Sequence, residues 1–304
     1  MSNPKRRLPL VQMDVFTSVP LEGNQLAVLP DARGLNDSEM QSVARETNLS
    51  ETTFVFPRDA AVEHERGVRV RIFTPQEELP FAGHPTLGTA LVLRENALRN
   101  NGMTSRDDEI TLDLNVGRIP VHFSTREGLP FGVMTQRDPD FGQVHAREAV
   151  AGATGLNLAD IAEDLPVQTI STGNAFAIVP LKSRTALETL APAWAPMGEY
   201  LKKTDAKFFY FVSREAVNPE ARLQARMIFY NGEDPATGSA AGPCAAWAVK
   251  YGVVAPDQQV LLEQGVEMKR RSRIFMSAGC AGDKIVNVRV GGHAVEVVRG
   301  EIFF

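Results

Sequence analysis

The sequence predicts an α+β fold of two pseudo-symmetric units, each a β-barrel-like sheet wrapped around one central buried α-helix. Three observations predict it. The block Gly23-Asn24-Gln25-Leu26-Ala27-Val28-Leu29-Pro30 returns as Gly173-Asn174-Ala175-Phe176-Ala177-Ile178-Val179-Pro180. At the same offset, His84-Pro85 and Gly88-Thr89-Ala90 return as Asp234-Pro235 and Gly238-Ser239-Ala240. The segments Thr86 to Leu93 and Ala236 to Val249 are apolar or small on every side, the pattern of a helix buried all round.

Taken in order, the elements are mostly short strands. Val11 to Phe16, Gln25 to Leu29, Thr52 to Phe56 and Val68 to Phe73 are β-branched or aromatic and often alternate. Ile110-x-Leu112-x-Leu114-x-Val116 alternates as a half-buried strand does. Asn36 with Glu39 three residues on is a capping-box pattern, and Met40, Val43 and Ala44 supply the apolar face of the helix it opens. Helices are expected near Ala146 to Gly152 and over Ala186 to Leu201. Pro243 conflicts with a regular second central helix and should kink it or begin a new turn. Weaker echoes join the halves: Glu51-Thr52-Thr53-Phe54 with Asp205-Ala206-Lys207-Phe208, Arg71-Ile72-Phe73 with Arg226-Met227-Ile228, and the Leu112 strand with Val286-x-Val288-x-Val290-Gly291. Ser124 to Gly142, rich in Gly, Pro and charge, is the expected crossing. The units are therefore drawn as residues 1–133 and 134–304, with the last strand free to cross back to the first.

Composition narrows the function. With 304 residues, 43% hydrophobic, 23% charged and a net charge of −5, the chain can bury a full core and offers no field for nucleic acid or a membrane surface. No stretch approaches the ~20 apolar residues of a membrane span, and none behind the basic N-terminus reads as a signal peptide. Two cysteines, Cys244 and Cys280, make no disulfide framework and no metal spacing. They read as buried small hydrophobes in a cytoplasmic protein.

The chemistry-bearing residues gather where the two apolar segments begin. Proline favours the first helical position, so Pro85 and Pro235 set His84 and Asp234 at or beside N-caps, where free N–H groups hold anions. If the units face each other, both helix mouths open onto one cleft, fit for a small anionic substrate and for moving protons. Asp234 also reads as a routine cap, and His84 as a satisfied core histidine. Glu51, in Asn48-Leu49-Ser50-Glu51-Thr52-Thr53-Phe54, stands between a helix end and a strand, where either a functional group or a solvated carboxylate fits.

Ser50-Glu51-Thr52-Thr53-Phe54-Val55, Arg71-Ile72-Phe73-Thr74-Pro75 with Glu78, Phe81-Ala82-Gly83-His84-Pro85-Thr86-Leu87-Gly88-Thr89-Ala90 and Glu233-Asp234-Pro235-Ala236-Thr237-Gly238-Ser239-Ala240 together resemble the PhzF (phenazine-biosynthesis) family over nearly the whole chain. Gln25 stands where that family more usually has proline. The resemblance implies the diaminopimelate-epimerase-like fold, an active site between the units, and isomerisation of a dihydro-hydroxyanthranilate in the founding enzyme. By motif it implies Glu51 as the residue that takes a proton from one carbon and returns it to another, assisted by His84 and Asp234. It implies substrate binding at Asn24 and Ser50, and a substrate carboxylate held by Gly83-His84 and Gly238-Ser239. It also implies a homodimer. Burial in a closed cleft should raise the pKa of Glu51. This chemistry needs no cofactor and no metal.

Other readings compete. A racemase or epimerase of another small amino or hydroxy acid remains open, though a two-thiol mechanism is disfavoured because Cys244 lies deep in its segment and Cys280 elsewhere. A serine hydrolase on Ser239, His84 and Asp234 lacks the G-x-S-x-G elbow. A metal on His84, Asp234 and Glu51 lacks a local ligand spacing. A ligand-binding protein that kept the fold and lost turnover is the remaining class. Loops Thr17 to Glu22 and Phe229 to Gly232 are expected to shape the pocket walls.

Overall fold

The computed structural model describes residues 6–101, 108–191, 193–229 and 232–303. Of the loop Phe229 to Gly232, residues 230 and 231 lie outside the described residues. The chain is mixed α and β and divides into two compact units: residues 1–134 with 291–304, and residues 135–290.

The first stretch of chain carries β1 (Arg7–Val15), β2 (Asn24–Leu29), α1 (Asp37–Thr47), β3 (Glu51–Phe56), α2 (Ala60–Arg66) and β4 (Val68–Phe73). It continues through β5 (Glu78–Leu79), α3 (Gly83–Asn101), β6 (Glu109–Leu114), β7 (Gly117–Arg126) and β8 (Leu129–Thr135), the strand on which the chain changes unit. Then come β9 (Asp140–His145), α4 (Arg147–Thr154), β10 (Val167–Ser171), β11 (Ala175–Leu181), α5 (Arg184–Glu188), α6 (Trp194–Leu201) and β12 (Phe208–Ser213). The chain ends with β13 (Ala221–Phe229), β14 (Gly232–Asp234), α7 (Gly238–Lys250), β15 (Val260–Gln264), β16 (Ser272–Ala281), β17 (Lys284–Gly292) and β18 (Ala294–Phe303).

The hydrogen-bond ladders show the duplication directly. In the first unit β18–β1–β2 is antiparallel, β2–β3 parallel, β3–β4 antiparallel, β4–β6 parallel and β6–β7–β8 antiparallel. In the second, β9–β10–β11 is antiparallel, β11–β12 parallel, β12–β13 antiparallel, β13–β15 parallel and β15–β16 antiparallel. One difference stands out. The strand beside β10 is β9, which immediately precedes it in sequence, whereas the strand beside β1 is β18, from the far end of the chain.

Each ladder wraps its helix. α3 packs against β1, β2, β3, β6 and β18, and α7 against β10, β11 and β16. Residues 83–92 of α3 and 238–249 of α7 are all buried, which is why neither sequence shows a polar stripe. Gly88 explains the closeness of the fit: a Cβ there would stand 2.6 Å from Leu26 and 2.7 Å from Val15. On the outer side of the first unit, Met40, Val43 and Ala44 of α1 pack on Leu29, Phe54 and Phe73. The Asn36–Glu39 capping box is formed in both directions, at 3.0 and 2.9 Å. In the second unit α4, α5 and α6 cover Ala177, Val179, Phe209 and Phe211 in the same way.

Several sequence expectations change. The ladders pair Leu26 with Glu51 and Phe176 with Phe208, so the counterpart of Glu51 is Phe208, not Asp205. The counterpart of β6 is β15, because each lies parallel to the equivalent strand, so the likeness of the Leu112 strand to Val286–Gly291 is not structural. Ala186 to Leu201 is two helices rather than one; the sequence there has prolines at 192 and 196, and Pro196 fits the first turn of α6, where no intrahelical N–H is needed. α7 runs through Pro243 as one element, leaving the Ser239 carbonyl without its usual donor four residues on. Cys280 is exposed on β16 while Cys244 is buried, so only one of them is core.

Candidate active site

Glu51 owes its place to the end of α1. Asn48 adopts the left-handed conformation, φ 49°, and its N–H returns to Ala44 O, stopping the helix. Thr47 Oγ1 and Thr52 Oγ1 meet at 2.7 Å and pin the turn. Glu51 is thus the first residue of β3, half-buried and preceded by Ser50 in the turn.

His84 arrives from the other side, on α3. The helix begins at Gly83, so His84 lies within its first turn rather than at the N-cap, and Pro85 is the third helical residue. Its Nε2 stands 3.2 Å from Glu51 Oε2. Nε2 makes no hydrogen bond within the described residues, although the ring is buried. Burial holds the His84 pKa down to about 3, so the ring is neutral at pH 7 and its approach to Glu51 is not an ion pair. A buried polar nitrogen without a partner costs about 1–3 kcal/mol, so packing alone gives no reason for this one.

Behind His84 lies Asn24, which has no exposed surface. Its Nδ2 is 3.1 Å from His84 Nδ1. Gly23 makes this possible: it has φ +67°, and a Cβ on it would stand 2.4 Å from Val15 O. Asn24 then lies on the inward face of β2 with Leu26, which packs against α3 at Gly88.

In the second unit Asp234 ends β14, four residues before α7, whose N-cap is Thr237. Here the expectation of two equivalent caps fails, because α3 begins about a turn and a half earlier relative to its Gly88 than α7 does to its Gly238. Asp234 Oδ2 accepts from Thr237 Oγ1 at 2.6 Å. Gln264, from β15, locks the turn: its Nε2 donates to Asp234 O at 2.7 Å and Thr237 Oγ1 at 2.9 Å, and its Oε1 accepts from Thr237 N at 3.1 Å and Tyr210 OH at 2.8 Å. Ser272 Oγ donates to Pro235 O at 2.8 Å. Ala240 N and Ala241 N both bond Thr237 O at 3.0 Å, while Gly238 and Ser239 N–H, at the first two helical positions, have no intrahelical acceptor. Gly83 and His84 N–H occupy the same situation in α3.

The sequence missed Gln264, Tyr210 and Ser272. They come from β15, β12 and β16, and no local motif marks them. Each unit does repeat one ion pair at the base of its turn. Arg71 grips Glu78 through Nε and a second guanidinium nitrogen, and Arg226 grips Glu233 at 2.9 and 2.7 Å. Both pairs clamp the short hairpin, β4–β5 or β13–β14, that leads into the central helix.

Among the described residues no group of three or more His, Cys, Asp or Glu side chains stands close enough to hold a metal ion, and no helix is long and apolar enough to cross a membrane. Burial pushes the Cys244 thiol well above its ordinary pKa, so it is an unreactive core residue.

The fold and the relatives of this chain define an isomerase. An uncharacterized isomerase of Mesorhizobium japonicum is 37% identical over 302 residues, covering 95% of this chain and 97% of that protein. The trans-2,3-dihydro-3-hydroxyanthranilate isomerase of Pseudomonas aeruginosa is 32% identical over 297 residues, covering 96% and 98%. Among solved structures, a phenazine biosynthesis protein of the PhzF family from Bacillus anthracis matches with a TM-score of 0.85 at 27% identity, over 98% of this chain and 100% of that one. A hydroxyproline epimerase from Agrobacterium vitis matches with a TM-score of 0.66 at 12% identity, over 98% and 93%, a likeness of fold alone. The sequence profile of the phenazine biosynthesis-like protein family matches residues 13–300. The chain belongs to this family.

Proposed function

We propose that the protein is a cofactor-independent isomerase that moves a carbon-bound proton within a small carboxylate substrate of the dihydro-hydroxyanthranilate type. The observation that carries this reading is the approach of His84 Nε2 to Glu51 Oε2, with the imidazole buried and neutral. The relative from Pseudomonas aeruginosa, an isomerase of trans-2,3-dihydro-3-hydroxyanthranilate, supplies the substrate class.

In this mechanism the Glu51 carboxylate takes a proton from a substrate carbon. The electron pair left behind spreads over the conjugated system, and the Glu51 carboxylic acid returns the same proton to a different carbon. Nothing is oxidised or reduced. His84, being neutral, stands beside Glu51 without competing for the proton. The amides of Gly83 and His84 hold negative charge at a helix N-terminus. Asp234, Gly238 and Ser239 are assigned to the same reaction, Asp234 directing hydrogen bonds and the other two binding the substrate carboxylate, with Ser50 beside Glu51 as a further contact. The counterpart of Glu51 in the second unit is Phe208, which cannot exchange a proton. That asymmetry supports one residue serving as both base and acid, rather than the paired bases of a racemase. The same reading has the enzyme act in the cytoplasm as a homodimer.

The test is proton exchange in D₂O with trans-2,3-dihydro-3-hydroxyanthranilate, followed by NMR. Product should form with the migrating proton partly retained from substrate. A folded protein that binds the compound yet never exchanges a carbon-bound proton sinks the proposal.

A further inference from the structure

We propose that Thr237 is a positioning residue for Asp234: it commits Oδ2 of that carboxylate to accepting a hydrogen bond, so that Asp234 meets the substrate and exchanges a proton through Oδ1. The inference rests on the isomerase reading only for its effect on rate; the state of the carboxylate is a property of the protein alone.

Three observations carry it. First, the hydrogen bonds behind Asp234 have only one possible direction. Gln264 faces a backbone carbonyl, Asp234 O, at 2.7 Å with one end of its amide and a backbone N–H, that of Thr237, at 3.1 Å with the other. A carbonyl only accepts and an N–H only donates, so the amide cannot be flipped. Nε2 spends its second proton on Thr237 Oγ1 at 2.9 Å, and Tyr210 OH donates to Oε1 at 2.8 Å. The Thr237 hydroxyl has one proton of its own, and the acceptor before it is Asp234 Oδ2 at 2.6 Å. Were Oδ2 to carry an acid proton, the buried Thr237 O–H would have no acceptor left among the described residues.

Second, Thr237 is the N-cap of α7, yet its side chain makes no cap hydrogen bond. A threonine in that place ordinarily accepts from the amide two or three residues on. Here Ala240 N turns to Thr237 O, and the Ser239 N–H keeps no acceptor in the helix. The hydroxyl serves Asp234 instead, and the amide it would have covered is one assigned to the substrate carboxylate. Third, the hydroxyl accompanies the carboxylate and not the fold. Where the second unit has Asp234 and Thr237, the first has His84 and Leu87 at the same spacing. Leu87 is fully buried within α3, which needs no hydroxyl there.

A hydrogen bond to the ionised form favours that form, so Thr237 opposes protonation of Asp234. Any proton the carboxyl does take goes to Oδ1, where it breaks no bond of the chain from Tyr210 through Gln264 and Thr237. The titratable groups around this turn in the second unit do not disturb the balance near neutral pH. Burial pushes Tyr210 and Cys244 up, so both stay neutral, while Glu233 and Glu267 face Arg226.

The experiment uses the full-length protein labelled with ¹³C-aspartate, with the Asp234 carboxyl resonance assigned by its loss in Asp234→Asn and titrated with no substrate present. Thr237→Val keeps the shape and removes the hydroxyl; Thr237→Ser keeps the hydroxyl. Asp234 should titrate at least about one pH unit higher in Thr237→Val than in wild type, and Thr237→Ser should restore the wild-type curve. With trans-2,3-dihydro-3-hydroxyanthranilate, kcat should fall about 10- to 100-fold in Thr237→Val with KM within about threefold, and recover in Thr237→Ser. If Thr237→Val does not fold, Thr237→Ala decides the question. The proposal is overturned if Asp234 titrates alike in wild type and the folded variant without the hydroxyl, or if KM rises while kcat holds, which would make Thr237 a binding residue. A titration that shifts as stated in a protein that never exchanges a carbon-bound proton would uphold Thr237 and fail the isomerase reading instead.

Discussion

Glu51 and His84 meet at 3.2 Å from two elements that share no local sequence, the first residue of β3 and the first turn of α3. Strand and helix are held together by the packing of α3 inside its ladder, including the 2.8 Å bond from Thr89 Oγ1 to Thr53 Oγ1. The pair is thus set by buried structure rather than by a loop, and its members can be tested separately.

Glu51→Gln keeps the shape of the side chain and removes its basicity. Carbon-proton exchange should fall by at least about 10²–10⁴-fold, the range a positioned acid–base group supplies. Ligand affinity, measured by calorimetry, should change by less than about threefold. An equal loss of binding and turnover would make Glu51 a recognition residue.

The buried, neutral His84 links stability to pH. In the unfolded chain an ordinary histidine titrates near 6.5, while in the folded protein His84 takes up its proton only at about pH 3. Between those values the unfolded state binds the extra proton, so stability falls as pH falls from 6.5 toward 3, by about 1.4 kcal/mol per pH unit. Urea denaturation of wild type and His84→Gln should diverge accordingly, with wild type losing about 2 kcal/mol more between pH 7 and pH 5. Parallel curves would show that His84 is not held neutral.

The two Arg–Glu clamps should differ in cost. The Arg226 side chain is 9% exposed and also donates to Leu187 O and Leu190 O, both at 2.8 Å. Arg226→Met strands Glu233 and these carbonyls together, so a loss of about 3–5 kcal/mol is expected. Arg71 is 18% exposed, and its second partner, Asp37, is 81% exposed and can turn to water. Arg71→Met should cost roughly 1–3 kcal/mol. Thermal or chemical denaturation of the two variants reads the order directly.

Gln264 holds the Asp234 turn from a distance of thirty residues in sequence. Gln264→Leu leaves Asp234 O and Thr237 N without this partner and should destabilise by about 1–3 kcal/mol. Freed from its setting, Asp234 should drift, and kcat/KM should fall by about 10- to 100-fold with Glu51 untouched. Unchanged kinetics in a folded Gln264→Leu would detach Asp234 from the reaction.

Much of this could be read before any coordinates. The repeated Gly-Asn block and the repeated His-Pro and Asp-Pro segments announced two units, because duplicated ladders need the same turn and the same buried helix twice. The capping box at Asn36 was legible because it is local: four residues contain all its donors and acceptors. Glu51 and His84 were legible as candidates through motif, but their partnership was not, since β3 and α3 are joined only by packing.

What the sequence by itself determined is periodic or local: strands, the α1 cap, the all-buried character of α3 and α7, and the residue types able to move a proton. Tertiary structure alone decided which residues are equivalent and which are neighbours. It matched Glu51 with Phe208, started α3 at Gly83 but α7 only at Gly238, returned β18 to pair with β1, and set Asn24 behind His84 and Gln264 behind Asp234. The reason is physical. Ladder register and helix starts follow from how a whole core fills its space, and hydrogen bonds between distant strands leave no spacing in the chain to read.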